Sequence, residues 1–270
     1  WFSEMLSAGY DPDLQAYNTL LAAFGSAGHK ESAERVLESM QQDGVRPDIY
    51  SFSAAITSCE RSGDTEQAEV HFENLQKLGL EASEIVYNNM IAVYAAAGNV
   101  KGAGQLLDEM DSRGVDRDTV TFNSAMAAAV KAGDSQQAIK WFWQMKSNGL
   151  KPDAVSFVSV VSACVAKRDM EEAEKWLADV IKENAASTAV FNCMIDGYGK
   201  VGNPKAAAET FEQIRRNSLQ PNLSSYNAVI HAHAQAGDMS SALSAMSGMR
   251  RWGLRPDIVT YTALVSGFAS

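Results

Sequence analysis

Aromatic residues recur along this chain at a fixed interval. Tyr17, Phe52, Tyr87 and Phe122 stand 35 residues apart, and a one-residue deletion near residue 185 carries the register on through Phe157, Phe191, Tyr226 and Tyr261. Each aromatic opens a run of apolar residues at helical spacing, as in Tyr17, Leu20, Leu21 and Phe24, or Tyr87, Met90, Ile91 and Tyr94. That spacing predicts an amphipathic helix with one buried stripe. The helix meets a Gly in six of the seven complete repeats: Gly28, Gly63, Gly98, Gly133, Gly202 and Gly237. Gly closes a helix C-terminus because it takes the left-handed conformation without steric cost. Arg168 stands at this phase in the fifth repeat, so its turn is expected to be built differently.

A second helix follows, with an Ala at one phase in every complete repeat: Ala33, Ala68, Ala103, Ala138, Ala173, Ala207 and Ala242. A side chain that small predicts close approach of two helices, where a larger one would overpack. Four residues on stand Leu37, Phe72, Leu107, Phe142, Leu177, Phe211 and Met246, one turn along the same face. These positions, with Trp141, Trp143 and Trp176, read as core packing. The unit closes on Gly-x-x-Pro-Asp or a variant, as in GVRPD from 44, GLKPD from 149 and GLRPD from 253. Gly ends the second helix and Pro stops it from continuing. Isolated turns do not explain why Asp recurs after Pro.

Connectors this short make successive helices antiparallel, and a repeat of this length predicts a quasi-one-dimensional stack. The expected fold is all-α, a right-handed α-solenoid superhelix of helix-turn-helix repeats. Residues 1–13 read as the second helix of a truncated repeat, and complete repeats run 14–48, 49–83, 84–118, 119–153, 154–187, 188–222 and 223–257. Residues 258–270 supply one last first helix. Opening and closing inside a repeat, the chain reads as a fragment whose targeting segment lies outside it.

Composition narrows the function classes. A net charge of −10 opposes an indiscriminate polyanion binder, because nonspecific nucleic-acid affinity comes from Lys and Arg neutralising phosphates. A solenoid can still carry its acidic residues on one side and a locally basic inner face on the other. Cys59, Cys164 and Cys193 are too few and too scattered for a disulfide framework or a zinc site. No run of 18 apolar residues exists, so no membrane span is expected. His231 and His233, two apart on a helix, face different ways, unlike the i, i+4 spacing of a zinc pair. His29 and His71 have no Cys or Asp constellation near them in sequence, and Glu171, Glu172 and Glu174 read as helix surface. No enzyme, cofactor or metal site is expected.

The repeat length, the Tyr-Asn pair opening the first helix, the Lys-Ala-Gly turn at 131–133, the Ala phase and the Gly-x-x-Pro-Asp exit together resemble the pentatricopeptide repeat family, with P-type repeats. Tetratricopeptide arrays have a 34-residue period and a Trp and Leu-Gly signature in the first helix, absent here. The resemblance implies sequence-specific binding of single-stranded RNA, one base per repeat, read by a side chain near the start of the first helix and by the last residue of the repeat. Directly after the aromatic stand Asn18, Ser53, Asn88, Asn123, Val158, Asn192, Asn227 and Thr262. The closing residues are Asp48, Ser83, Asp118, Asp153, Ser187, Asn222 and Asp257.

A plainer reading is that Asn, Ser and Thr cap a helix, and that Asp or Asn after Pro is a cap or turn residue. It fits Val158 badly, since valine cannot cap. An Asn amide both donates to and accepts from a base edge, and a nearby carboxylate accepts from the N3–H that uracil has and cytosine lacks. By resemblance, Asn18 with Asp48, Asn88 with Asp118, Asn123 with Asp153 and Asn227 with Asp257 favour uracil. Asn192 with Asn222 favours a pyrimidine, Ser53 with Ser83 leans to a purine, and Val158 with Ser187 reads nothing. The implied site is 5′-U-R-U-U-N-Y-U-3′, to which Thr262 adds a purine if its missing partner is polar. Asn123 and Asp153 make the pair expected most firmly.

Two residues before the aromatic, where the family sandwiches bases, stand Tyr50, Ile85, Val120, Val155 and Val259, with Gln15, Ala189 and Ser224 as weaker platforms. Two residues before the Gly turn, where the family places a phosphate contact, only Arg61, Lys131 and Lys200 are basic. The family implies work on organellar RNA, in mitochondrion or chloroplast, alongside other RNA-processing proteins, by a monomer that occupies its site. The competing class is a protein-binding α-solenoid scaffold using the same inner face. The low basic content and Val158 favour it; the in-phase Asn and Asp pairs favour RNA.

Overall fold

A computed structural model describes residues 2–269; Trp1 and Ser270, the extreme ends of the first and last predicted segments, lie outside them. Among the described residues there are sixteen α-helices and no strand. After α1 (Phe2–Ser7), the helices that open on the recurring aromatic are α2 (Leu14–Ala27), α4 (Ile49–Glu60), α6 (Glu84–Ala97) and α8 (Thr119–Ala132), then α10 (Ala154–Ala166), α12 (Thr188–Lys200), α14 (Leu223–Gln235) and α16 (Ile258–Ala269). Between them lie the second helices α3 (Lys30–Gln42), α5 (Thr65–Lys77), α7 (Val100–Ser112), α9 (Ser135–Ser147), α11 (Met170–Lys182), α13 (Pro204–Arg216) and α15 (Met239–Arg251). The fold is an all-α solenoid.

The chain divides into two compact units between Ala132 and Gly133. In the first, α2, α4, α6 and α8 pack side by side in chain order, and α3, α5 and α7 pack on them as an outer row. The second repeats the plan with α10, α12, α14 and α16 inside and α9, α11, α13 and α15 outside. Neighbour-only packing is what a 35-residue unit with one apolar face requires.

Most of the apolar stripe goes where the pattern placed it, but Tyr261 in the last helix is 48% exposed and Met246 is only half-buried. Tyr17, Tyr87, Phe122, Phe157 and Phe191 are fully buried, and so are all seven alanines of the second-helix phase. Two tyrosine tips inside this core are partnered: the Tyr87 hydroxyl donates to Glu109 at 3.0 Å and that of Tyr94 to Glu69 at 2.8 Å, whereas Trp176 Nε1 is buried without a partner. Trp141 and Trp176 are buried, but Trp143 is 53% exposed, which corrects its placement in the core. Its ring leans on Trp176 at 5.8 Å, and Lys146 Nζ lies 5.5 Å from its centre.

Turn chemistry fixes the helix lengths. Gly28 and Gly98 take φ of 72° and 70°, and the Arg168 turn turns out to be built the same way, with φ of 60°. The N–H of Asp169 still reaches the Cys164 carbonyl at 3.0 Å, as that of His29 reaches Phe24. The turn's hydrogen bonds hold an L side chain in the left-handed region, which costs about 1–2 kcal/mol. Arg168→Gly is therefore expected to stabilise the chain by about 1 kcal/mol, seen as a higher urea midpoint. Asn184 and Ser218 do the same at the exits of α11 and α13.

The Asp after Pro has a clear local task. Asp48 and Asp153 accept the N–H of Ser51 and Ser156 at 2.9 Å, capping α4 and α10, and each Ser hydroxyl accepts from the cap's own N–H. This reciprocal box satisfies two backbone donors that a helix start leaves unpaired. Asp64, Asn99, Asp134, Asp169, Asn203 and Asp238, each just after the turn residue, cap the second helices by accepting the backbone N–H three residues on.

Candidate nucleic-acid interface

Asn18, Asn88, Asn123, Asn192 and Asn227 each sit at the fifth residue of a first helix. They are past the cap position, which the residues closing the preceding repeats hold, so capping does not account for the amides. Their side chains are half-buried on the inner row of helices. Asn18 Nδ2 donates to Asp48 Oδ1 at 3.2 Å, Asn88 Nδ2 to Asp118 at 3.5 Å and Asn227 Nδ2 to Asp257 at 3.1 Å. The closing Asp therefore caps the next helix and holds the amide of its own repeat.

A third residue completes each group. Ser51, Thr121 and Thr260, the third residues of the following helices, each place Oγ 2.6 Å from the Asn Oδ1 of the preceding repeat. The hydroxyl donates to the amide oxygen while the carboxylate accepts from the amide nitrogen. A carboxylate cannot donate, so the Asn carboxamide is held in one orientation of its two. One N–H and one lone pair of the amide remain for a ligand, while the Asp118 carboxylate is also met by the side chain of Glu84.

Sequence reasoning missed this hydroxyl, although the signal is there. Ser51, Thr121, Ser156, Ser225 and Thr260 follow the five repeats that carry Asn, whereas Val86 and Val190 follow the repeats of Ser53 and Val158. Where the amide is lacking, so is the group that would orient it.

Two of the closing carboxylates are held below the usual range. At Asp118 burial pushes the carboxyl up, but hydrogen bonds from the Thr121 N–H, the Thr121 hydroxyl, Asn88 and the Glu84 carboxyl outweigh it and hold it below the usual range. The Thr260 N–H does most to hold the Asp257 carboxyl down. An acceptor-only group at neutral pH is what an N3–H donor requires.

The remaining positions differ. Asn192 Nδ2 lies 3.4 Å from Asn222 Oδ1, but the Ser225 hydroxyl bonds Asn222 at 3.0 Å, and Asn192 Oδ1 is buried without a partner. Ser53 accepts from Asn89 at 2.9 Å, while Ser83 stands at the N-cap of α6 with no side-chain cap bond. Val158 is half-buried, and Ser187 caps α12 through the Val190 N–H at 3.4 Å. Thr262 donates within its own helix to Ile258 O at 2.7 Å. Asn123 stands on α8 and Asp153 heads α10.

Tyr50, Ile85, Val120, Val155 and Val259 are 54–72% exposed, although large and apolar. Each is the second residue of its helix, three positions before the amide site. In the first unit Gln15, Asn18, Tyr50 and Ser53 line one groove of about 970 Å³ between α2 and α4. A Cβ on Gly25 would lie 2.7 Å from the Ala54 carbonyl, so this Gly sets how closely the two helices meet beneath the groove.

The basic residues are partly engaged. Lys131 donates to the Ala96 carbonyl at the end of α6, and Lys200 pairs with Asp196 at 2.6 Å. Arg61 is exposed and packs over the Gly28 turn. Burial pushes the thiol of Cys164 up to about 11, and those of Cys59 and Cys193 also upward, away from the thiolate a nucleophile needs.

Helix-turn-helix units stacked in rows, with a polar triad repeated on the inner helices, define a helical-repeat binding protein. The sequence matches the PPR repeat family over residues 12–61, 82–124, 117–166 and 221–270, the pentatricopeptide repeat domain over 180–236 and the PPR repeat over 155–184. The chain belongs to the pentatricopeptide repeat family. Among solved structures it is similar to the pentatricopeptide repeat protein PPR10 from maize, at 25% identity over 99% of this chain and 43% of that one, with a TM-score of 0.66. PPR10 in complex with an 18-nt psaJ RNA element matches at 24% identity over 98% of this chain and 44% of that one, TM-score 0.61. The PPR domain of Arabidopsis thaliana protein-only RNase P 1, in complex with tRNA, matches at 19% identity over 66% of this chain and 94% of that one, TM-score 0.53. The chain thus spans less than half the length of the PPR10 chain it resembles. No curated protein matches it.

Proposed function

We propose that this chain binds single-stranded RNA in a sequence-specific way, each repeat's amide and closing residue reading one base. The observation that carries the reading is the triad of amide, carboxylate and hydroxyl at Asn18, Asn88 and Asn227. It costs three oriented side chains per repeat, yet it leaves a donor and an acceptor of each amide unspent. A purely structural cap would need only the Asp.

The exposed row that includes Tyr50, Ile85 and Val120 supports the same reading, because bases stack on flat or branched apolar side chains with little regard for sequence. Uracil fits the Asn and Asp pairs through its N3–H; Asn192 with Asn222 suits a pyrimidine. The expected site is 5′-U-R-U-U-N-Y-U-3′. PPR10, of the same family, is seen with RNA. The chain acts by occupying an RNA site, within organellar RNA processing, stability or translation, and its residues carry no catalytic step.

The engagement of Lys131 and Lys200 favours the second reading, a protein-binding scaffold. Salt dependence separates the two. If Arg61, Lys131 and Lys200 meet phosphates, log K for a short single-stranded RNA falls against log salt with a slope of about −2. A slope near zero in filter binding contradicts the RNA reading.

A further inference from the structure

The outer row of the second unit carries a groove that base reading does not use. It lies between α13, α14 and α15, encloses about 530 Å³, and is lined by Arg215, Tyr226, Ser244, Gly248, Arg251 and Trp252 among others. That volume falls within the roughly 300–1,000 Å³ of small-molecule sites.

Its chemistry differs from that around the opening tyrosines of two other repeats. Tyr87 donates to Glu109 on its second helix, and Tyr17 to Asp43 just past its own. The phase of Glu109 is occupied by Gly248 in the last complete repeat, so no acid faces Tyr226 from that position. Tyr226 instead accepts from Arg215 Nη2 at 3.0 Å, which leaves its own hydrogen to donate. The Arg215 guanidinium lies 5.3 Å from the Phe211 ring and 5.2 Å from that of Trp252. Nη1 bonds Glu212 at 3.1 Å, and Nε is buried without a partner.

Glu212 is the one acid in the lining, against Arg215 and Arg251. The groove between α11 and α13 has the opposite character: it is lined by Glu174 and Glu209 and by no cation. A chain of net charge −10 thus concentrates two guanidiniums, a free phenol hydrogen and serine hydroxyls around a cavity opened by a missing side chain. Guanidiniums stacked on aromatic rings and paired with hydroxyl donors suit a tetrahedral oxyanion, because phosphate oxygens accept several charge-assisted hydrogen bonds at once.

We infer that the groove around Arg215, Tyr226 and Arg251 is a binding site for a phosphate monoester. It stands apart from the inner face and does not depend on the RNA reading.

The test is calorimetric titration of the whole chain with inorganic phosphate and with phenyl phosphate, for the wild type and two variants. Gly248→Glu places at this phase the acid that Glu109 supplies in the third repeat; its Cβ would lie 3.7 Å from the Tyr226 ring, an ordinary contact. Arg251→Gln removes an exposed cation and leaves the cavity. Saturable binding by the wild type, weakened at least about tenfold in both variants (about 1.4 kcal/mol) with RNA affinity unchanged, is the expected result. Tighter binding of phenyl phosphate assigns a ring-bearing ester, and equal binding assigns the phosphate group alone. No saturable binding by the wild type, or equal binding by wild type and Arg251→Gln, overturns the assignment, even if Gly248→Glu fails to fold.

Discussion

Asp118→Asn is expected to move the third read position from uracil towards cytosine. The carboxylate can only accept, which suits the N3–H of uracil, whereas a carboxamide can also donate to the bare N3 of cytosine. Asn caps a helix about as well as Asp does, so α8 keeps its start and the fold is untouched. Leaving a buried polar group unpaired costs about 1–3 kcal/mol, so the wild type should prefer uracil there by about tenfold or more, and the variant should lose or invert that preference. Competition binding with heptamers differing only at the third base reads this directly. Thr121→Val, at the same position, removes the hydroxyl that donates to Asn88 Oδ1 at 2.6 Å. The freed amide can then turn either way, and the preference should flatten instead of inverting. An equal loss across all RNAs in both variants would mean that Asn88 and Asp118 are structural.

The largest effect on stability is expected from Phe142→Ala. Its ring packs 5.1 Å from Phe157 and 5.0 Å from Trp176, and it is almost fully buried. Truncation leaves a cavity that rigid neighbouring helices cannot collapse into, at about 3–5 kcal/mol. Urea unfolding followed by tryptophan fluorescence should show the midpoint falling, with Trp141, Trp143 and Trp176 all close by. Trp143→Ala serves as the contrast, since the half-exposed Trp143 ring has much less contact to lose. Equal shifts for the two variants would contradict the packing account.

The all-helical fold was legible because a 35-residue period repeats one apolar stripe many times, and repetition averages out local noise. The Arg168 turn was not, because intrinsic preference for φ says little when five neighbouring hydrogen-bonding groups already determine the turn. Trp143 looked like core for a similar reason: it adjoins Phe142 in sequence, but successive residues on a helix point some 100° apart. At the site, the Asn phase and the closing Asp were both visible. Their contact was not, since Asn18 and Asp48 meet only once α4 packs beside α2. Ser51 and Thr121 passed unnoticed because a Ser or Thr near a helix start already has an adequate role as part of a cap. The engagement of Lys131 with a helix end is likewise a tertiary fact that no local pattern encodes.

Asp48 shows how the two readings of the closing residue combine. One carboxylate oxygen accepts the N–H of Ser51 and the amide of Asn18, so capping positions the reader and is no alternative to it. A substitution that keeps the cap and changes the hydrogen-bonding character, as Asp118→Asn does, is therefore more informative than alanine, which removes both.

The central claim is that these pairs select bases, and the most direct measurement is the affinity of the chain for 5′-U-R-U-U-N-Y-U-3′ against its all-purine counterpart at the same salt. Tighter binding of the first by about tenfold or more is predicted, since several uracil-favouring pairs act together. Equal affinity for the two would contradict it.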